Sequence, residues 1–269
     1  MNKSILYQKY NINVDLAVEA HDLLRGETDQ EIPGVIMKKE TFEHASITKI
    51  QITDKKGEKE MGRPIGNYIT LDVPEINQND YEIHKNISQS LSDVLIELLN
   101  LKEDTSIMIV GLGNWNATPD ALGPKVVNKT MVTRHLFHYT PEDMEGKMRK
   151  VCAIAPGVLG LTGIETAEII KGLVDHVKPD YVIAIDALAA GSLERIGTTI
   201  QLSDTGINPG SGIGNHRKAL NEETLGCKVI AIGIPTVVNA AIIAHKTIEG
   251  MLEHMESEPS LAKIYSNEN

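Results

Sequence analysis

The spacing of apolar residues changes near residue 105 and divides the chain into two parts. In the first part, apolar and polar residues alternate over residues 47–52, and a second apolar run covers residues 68–71. Alternation with a period of two is typical of strands buried on one face, so both segments are predicted to be antiparallel strands. The charged segment 54–57 between them is predicted to be a turn.

An amphipathic helix is predicted after these strands. Its apolar residues recur at three- and four-residue steps from Ile83 to Leu98, and Asp80 is placed to cap its first turn. The first hundred residues are therefore expected to add strands and a helix to the fold and not to form an independent cofactor domain.

After residue 105, short continuous apolar runs alternate with helical stretches. Continuous runs indicate strands covered on both faces, and this alternation is typical of a parallel sheet with right-handed crossovers. Residues 162–165 fit a capping box, so one helix is predicted to start there and to end before Pro179. The expected fold class is α/β, with a mainly parallel sheet sandwiched by helices and additional antiparallel strands from the N-terminal region. The predicted parallel strands lie at about residues 106–112, 151–155, 180–185 and 228–233.

Net charge and hydropathy argue against nucleic-acid-binding and membrane proteins. The 269 residues carry 26 Lys and Arg against 37 Asp and Glu, a formal net charge of −11 with neutral histidines. That charge repels phosphate backbones and anionic lipids, so neither direct nucleic-acid binding nor membrane binding is expected. No apolar run reaches the roughly 18 residues of a membrane span, and the first residues lack the apolar core of a signal peptide. The protein is therefore expected to be cytoplasmic.

No complete cofactor or metal motif is present. Residues 111–116 begin like a dinucleotide-binding turn, but Asn116 stands where the third glycine is needed and no acidic residue follows about 20 positions on. The two cysteines, Cys152 and Cys227, belong to no metal-ligand spacing and are predicted to be buried thiols. No cofactor is therefore expected.

Two aspartates that follow predicted strands are the candidate catalytic groups. Asp120 lies in a Thr-Pro-Asp segment that opens a predicted helix, and Asp186 ends the strand at 180–185, before small residues that leave it uncovered. The carboxyl ends of parallel strands lie at one edge of a sheet, where open α/β sheets bind ligands. Two carboxylates within a few ångströms share a proton and act as general base and general acid on water.

Structural interpretations of the same residues stay open. Asp120 in a first helical turn complements the helix dipole, an effect of about 0.3–1 kcal/mol, and Asp186 alone binds neighbouring backbone N–H groups. The glycine-rich segment 210–216 either supplies backbone donors or is a flexible turn. His135 and His138 share a helix face without a third ligand, which favours packing or surface positions.

Five segments closely resemble the germination protease of spore-forming bacteria: residues 110–124, 155–166, 182–190, 203–212 and 232–238. The resemblance extends from about residue 10 to about residue 250. It implies an endopeptidase, made as a self-processing zymogen, that initiates the degradation of small acid-soluble spore proteins during germination. In that family the functional aspartates are those of the Thr-Pro-Asp-Ala-Leu-Gly-Pro and Ile-Asp-Ala-Leu-Ala motifs, here Asp120 and Asp186.

The resemblance also implies partners and a location. It suggests a homotetramer in the forespore or spore core, with small acid-soluble spore proteins as substrates and no direct contact with the DNA that they coat. The basic residue that recognises an acidic substrate side chain is not identified, and the candidates are Arg134, Arg195 and Arg217. The chain departs from many members because it ends soon after its last predicted helix.

A metal-dependent mechanism is the main alternative. The family resembles hydrogenase-maturation endopeptidases, in which the equivalent acids and a histidine form a metal site. The alternative enzyme is a metallopeptidase that holds a divalent ion with Asp120, Asp186 and His216. A non-catalytic peptide-binding protein is a third hypothesis.

The N-terminal segment resembles the family's processing site, which has an acid before the cut, an apolar residue after it and then alanine. Asp15, Leu16 and Ala17 match these positions, whereas Ile12 departs from the acid that the family favours three residues before Asp15. Self-cleavage between Asp15 and Leu16 is expected. The structural alternative is that Asp15 caps a helix whose leucines, Leu16, Leu23 and Leu24, pack on the core.

Self-cleavage there divides the chain into two parts. Residues 1–15 are expected to be a propeptide, and residues 16–269 a single α/β peptidase domain. Within that domain, the N-terminal elaboration is expected to extend to about residue 104 and the parallel α/β core to cover about residues 105–255.

Overall fold

The computed structural model describes residues 7, 9–10, 12–26, 31–42, 45–210 and 217–257. Within these residues the strands form one mixed sheet. Its strands are β1 Val35–Thr41, β2 Ser46–Ile52, β3 Gly66–Asp72, β4 Ile107–Gly111, β5 Val151–Ile154, β6 Tyr181–Ala190, β7 Thr199–Ser203 and β8 Lys228–Val238. Their order in the sheet is β1-β2-β3-β7-β8-β6-β4-β5.

The helices connect and cover these strands. They are α1 Ala17–Arg25, α2 Lys55–Met61, α3 Tyr81–Leu98, α4 Leu122–Lys129, α5 Leu136–Tyr139, α6 Pro141–Met144, α7 Leu159–Thr162, α8 Thr166–Val177, α9 Glu222–Leu225 and α10 Ala240–Ser257, with short 3₁₀ turns at Pro74–Asn77, Thr118–Asp120 and Leu193–Arg195.

The predicted α/β class is confirmed, and the sheet has a parallel and an antiparallel half. Strands β5, β4, β6 and β8 pair in parallel, whereas β7, β3, β2 and β1 extend the sheet by antiparallel pairing. The four predicted parallel strands and the antiparallel strands of the N-terminal region are all present. The sequence analysis missed β7, which pairs with both β3 and β8 and joins the two halves.

Helices cover both faces of the sheet, as expected. On one face, α3 and α4 pack against odd-numbered residues of β6 such as Ile183 and Ile185. On the other face, α8 packs over Val182 and Ala184, while residues 16–18 and α2 pack with Leu188 over the antiparallel strands. Asp186 is an even-numbered residue of β6, like Val182, Ala184 and Leu188, and therefore points to the same face. It lies between the apolar cluster of Val182 and Ala184 and that of Leu188.

Two local predictions were wrong because side-chain capping differed from the expected pattern. Residues 54–57 do not form a simple turn: Asp54 accepts hydrogen bonds from the N–H groups of Lys56 and Gly57, and helix α2 follows. The predicted capping box at residues 162–165 is absent, since Thr162 Oγ1 accepts from the N–H of Ile164 and α8 begins only at Thr166. The predicted end of that helix before Pro179 is correct.

Candidate active site

Asp186 lies in a row of residues that crosses three neighbouring strands. In the register of the sheet, Asp186 of β6 is opposite Gly233 of β8, and Gly233 is opposite Gln201 of β7. Directly opposed residues point to the same face of a sheet. Asp186 does not end its strand, as the sequence suggested, because β6 continues to Ala190, and its side chain is buried and not uncovered.

Asp120 reaches the same region from the end of β4. It closes the 3₁₀ turn Thr118–Asp120, which has no side-chain cap. The N–H of Asn114 donates to Asp120 Oδ2 at 2.9 Å. Gly113 adopts φ +108° directly beneath, where a Cβ would lie 2.1 Å from the Asp120 carbonyl oxygen. A glycine is therefore required for the chain to fold back over this carboxylate.

Both aspartates line two cavities of the described chain. The larger has a volume of about 790 Å³ and is also bordered by Asp15, Gln201 and Gly233. The smaller, of about 70 Å³, is bordered by both aspartates together with Arg217. The structure therefore places the two predicted residues at the same two cavities.

Burial raises the pKa of both carboxyl groups. Burial raises the pKa of Asp186 to about 7, with further increases from the charges of Asp120 and Asp15 and opposing effects from the N–H of Ala187 and from Arg217. Burial also raises the pKa of Asp120, against the hydrogen bond from Asn114 and the charge of Arg217. Asp186 therefore retains a proton under conditions in which Asp120 has lost its own.

The predicted cleavage site, between Asp15 and Leu16, lies beside the end of β6. Asp15 Oδ2 accepts a hydrogen bond from the N–H of Ala189 at 2.8 Å, and the N–H of Asp15 donates to the Ala189 carbonyl oxygen at 3.3 Å. Leu16 and Ala17 are fully buried. The alternative role of Asp15 as a helix cap is wrong, because Leu16 occupies the N-cap position of α1 and that helix has no side-chain cap.

The candidate arginines occupy three different places. Arg217 borders the small cavity beside both aspartates. Arg195 instead pairs with Asp72 at 2.6 Å and lies 3.5 Å from Glu19, while Arg134 lies close enough to Cys152 to oppose the burial that raises the pKa of that thiol.

The sequence analysis missed another arginine that borders the site, Arg63. It borders the large cavity, and its Nη2 donates to the Val14 carbonyl oxygen at 2.7 Å. Burial lowers the pKa of its guanidinium, and Tyr68, Asp15 and Glu19 act in the opposite direction. Arg63 follows α2, far from both aspartate motifs, so no local pattern marks it.

The described residues do not supply a three-ligand metal site. Within the described ranges, no group of three His, Cys, Asp or Glu side chains is close enough to hold an ion. His216 and most of the glycine-rich segment 210–216 lie outside the described residues. His135 and His138 are exposed, and Cys152 and Cys227 are half-buried free thiols, less buried than predicted.

In the described part of the chain, no helix is both long and apolar enough to cross a membrane.

Comparison with known proteins identifies a single family. Its sequence model, described as germination protease, matches residues 14–266. The chain is 50% identical over 254 residues to the germination protease of Caldanaerobacter subterraneus, covering 94% of this chain and 78% of that protein. It is 49% identical over 259 residues to that of Clostridium perfringens, covering 96% and 80%, and 50% identical over 263 residues to that of Bacillus cereus, covering 96% and 71%.

Proposed function

The chain belongs to the germination protease family, whose members are proteases of spore germination, and on that premise we propose that it is an aspartate-dependent endopeptidase. We propose Asp120 and Asp186 as its catalytic residues. The observation that carries this proposal is that both carboxyl groups border one cavity and that their pKa values are raised unequally, with that of Asp186 about 7. Such a pair holds one proton between two acids.

The shared proton supports hydrolysis of a peptide bond by water. Ionised Asp120 removes a proton from water as the water oxygen attacks the carbonyl carbon, and protonated Asp186 donates its proton to the carbonyl oxygen. In the second step, Asp120 returns its proton to the leaving nitrogen as the C–N bond breaks. Asp186 recovers its proton from the former carbonyl oxygen, so both acids end in their starting states.

The proposed substrates are small acid-soluble spore proteins, cleaved after an acidic residue and before an apolar one. We also propose that residues 1–15 are a propeptide removed by the same chemistry, since Asp15 borders the cavity that Asp120 and Asp186 also border. Assembly as a homotetramer and location in the spore core complete the proposal.

A metal-dependent mechanism has no support from a described third ligand, so no step is assigned to an ion. An experiment with a chelator distinguishes the metal-dependent from the aspartate-dependent mechanism. Purified protein is incubated with a small acid-soluble spore protein, with and without a chelator, and the cut sites are mapped by mass spectrometry.

We expect cleavage after acidic residues, unchanged by chelator, and no cleavage by Asp120→Asn or Asp186→Asn. A suitable control is Asp175→Asn, which alters an exposed acid of α8. Loss of activity with chelator would favour the metallopeptidase. Absence of cleavage by the wild-type protein would favour a peptide-binding role.

A further inference from the structure

The carboxamide of Gln201 contacts the backbone on both sides of Leu16. Its Nε2 donates to the Asp15 carbonyl oxygen at 3.0 Å, and its Oε1 accepts from the N–H of Ala17 at 2.5 Å. The first contact is to the carbonyl of the bond that we propose is cut. The Gln201 side chain therefore binds the backbone of both neighbours of Leu16, the residue that follows this bond.

The register of the sheet places Gln201 on the same face as Asp186. Gln201 and Asp186 are separated by one strand, so their Cα atoms are about 10 Å apart, twice the usual strand spacing. The residue between them is Gly233, where a Cβ would lie 2.5 Å from the Leu188 side chain. The space above Gly233 is therefore taken by the Leu188 side chain, while Gln201 and Asp186 both border the large cavity.

Other contacts hold the same segment in an extended form. The Val14 carbonyl oxygen accepts from Arg63, Asp15 pairs with the backbone of Ala189, and Leu16 has extended backbone angles of −81° and 129°. Extended peptides bound by proteins are held in a related way, with partners for their backbone polar groups and pockets for alternate side chains. The arrangement is that of a substrate across a binding site.

We propose that Gln201 holds the scissile peptide and donates a hydrogen bond to its carbonyl oxygen, both in self-cleavage at Asp15–Leu16 and in cleavage of protein substrates. This proposal rests on the proposed function. The carbonyl oxygen gains negative charge as water attacks, so a donor aimed at it stabilises the transition state more than the bound substrate. Its loss should therefore lower kcat more than it raises KM.

The test measures two reactions of the full chain and its Gln201 variants. The first is the single-turnover rate of self-cleavage. The second is the cleavage of a peptide containing Asp-Leu-Ala by protein that has completed self-cleavage. Gln201→Met keeps the side-chain length and removes both polar contacts, whereas Gln201→Glu keeps the acceptor for Ala17 and removes the donor. Gln51→Ala, an exposed glutamine of β2, is the matched control.

We expect both Gln201 variants to lose on the order of 100-fold in each reaction, mainly in kcat, as when one oxyanion donor is removed. Thermal unfolding establishes that each variant is folded, and if Gln201→Met is not, Gln201→Glu is decisive. Activity of a folded Gln201 variant within about threefold of wild type in either reaction would overturn the proposal. Asp186→Asn is measured in parallel: if it stays active, the proposed catalytic pair is refuted, whatever the result for Gln201.

Discussion

Asp186 combines a buried position with several nearby acids. Its side chain accepts a hydrogen bond from the N–H of Ala187, the next residue, and its surroundings favour the neutral form. The structural interpretation of Asp186 as an acceptor of backbone N–H groups is therefore correct in geometry and yet compatible with catalysis. A buried acid that keeps its proton near neutral pH reduces the stability of the folded state once that proton is lost.

The pH dependence of the unfolding free energy should show whether Asp186 carries this proton. Because the pKa of Asp186 is raised from 3.8 to about 7 by folding, its stabilising protonated form is fully present below about pH 4 and is lost as the pH rises through about 7. Asp186→Asn mimics the neutral form at every pH. We expect the variant to exceed wild type in unfolding free energy by a few kcal/mol, on the order of 1.4 kcal/mol per unit of pKa, at pH 8 but not at pH 4.

Urea denaturation at these two pH values measures the difference. Glu19, whose pKa burial also raises to about 7, titrates alike in both proteins and cancels in the comparison. If the unfolding free energies of Asp186→Asn and wild type differ by the same amount at pH 4 and pH 8, folding does not raise the pKa of Asp186.

The rate of self-cleavage should have the same pH dependence. Since the mechanism requires one proton on the pair, we expect the rate to fall as the pH rises through about 7. Timed gel analysis of the full chain between pH 5 and pH 9 measures it. A rate that increases across this range would contradict the assignment of Asp186 as the acid.

Close packing between elements positions Asp120. Helix α4 approaches the end of β4 and the middle of β6 so closely that a Cβ at Gly123 would lie 2.3–2.6 Å from backbone atoms of Leu112 and Ile185. Thr236 of β8 holds the preceding turn by donating to the Pro119 carbonyl oxygen at 2.6 Å. The position of the carboxylate therefore depends on contacts between α4 and two strands.

Gly123→Ala should disturb this contact. The added methyl group meets backbone atoms that cannot rotate away, so we expect a loss of about 1–3 kcal/mol in unfolding free energy and reduced peptidase activity as Asp120 moves. Gly172→Ala is the matched control, because Gly172 lies within α8 and an added methyl group would meet nothing within 4 Å. There alanine should stabilise the helix by about 1 kcal/mol. Equal effects of the two substitutions would show that α4 has room to shift.

The N-terminal segment connects the two halves of the molecule. Leu16 packs among residues of the antiparallel strands, such as Ile50 and Tyr68, while Asp15 binds Ala189 at the end of β6 in the parallel half. Cleavage between these two residues would therefore separate the contact to β6 from the buried leucine.

N-terminal sequencing after self-cleavage should give Leu16-Ala17-Val18-Glu19. We expect Asp15→Ala to slow this reaction about tenfold or more, because it removes a charge-assisted hydrogen bond of about 1.5–3 kcal/mol from the residue before the cut. Asp22→Ala, an exposed acid of α1, should process at the wild-type rate. Active protein that still begins at Met1, or Asp15→Ala cut at the same bond and rate, would refute this processing site.

Local patterns along the chain were sufficient to predict the fold class, the parallel strands and the two aspartates. Continuous apolar runs identified β4 and β6 because buried parallel strands exclude polar residues from both faces, and each aspartate follows such a run within the same segment. The capping interpretation of Asp15 failed because its partner is distant in the sequence: Asp15 binds Ala189 and caps no helix.

The row of Asp186, Gly233 and Gln201, and the placement of Arg63 beside the segment around Asp15, were not predictable in this way. These residues come from separate strands and connections, and their meeting depends on β7 inserting antiparallel between β3 and β8. Periodicity reports the burial of a residue's own element, whereas strand order and register are set by packing of the whole sheet. For that reason the sequence was enough to propose the two acids, whereas only the folded chain showed that Gln201 lies in the same row as Asp186.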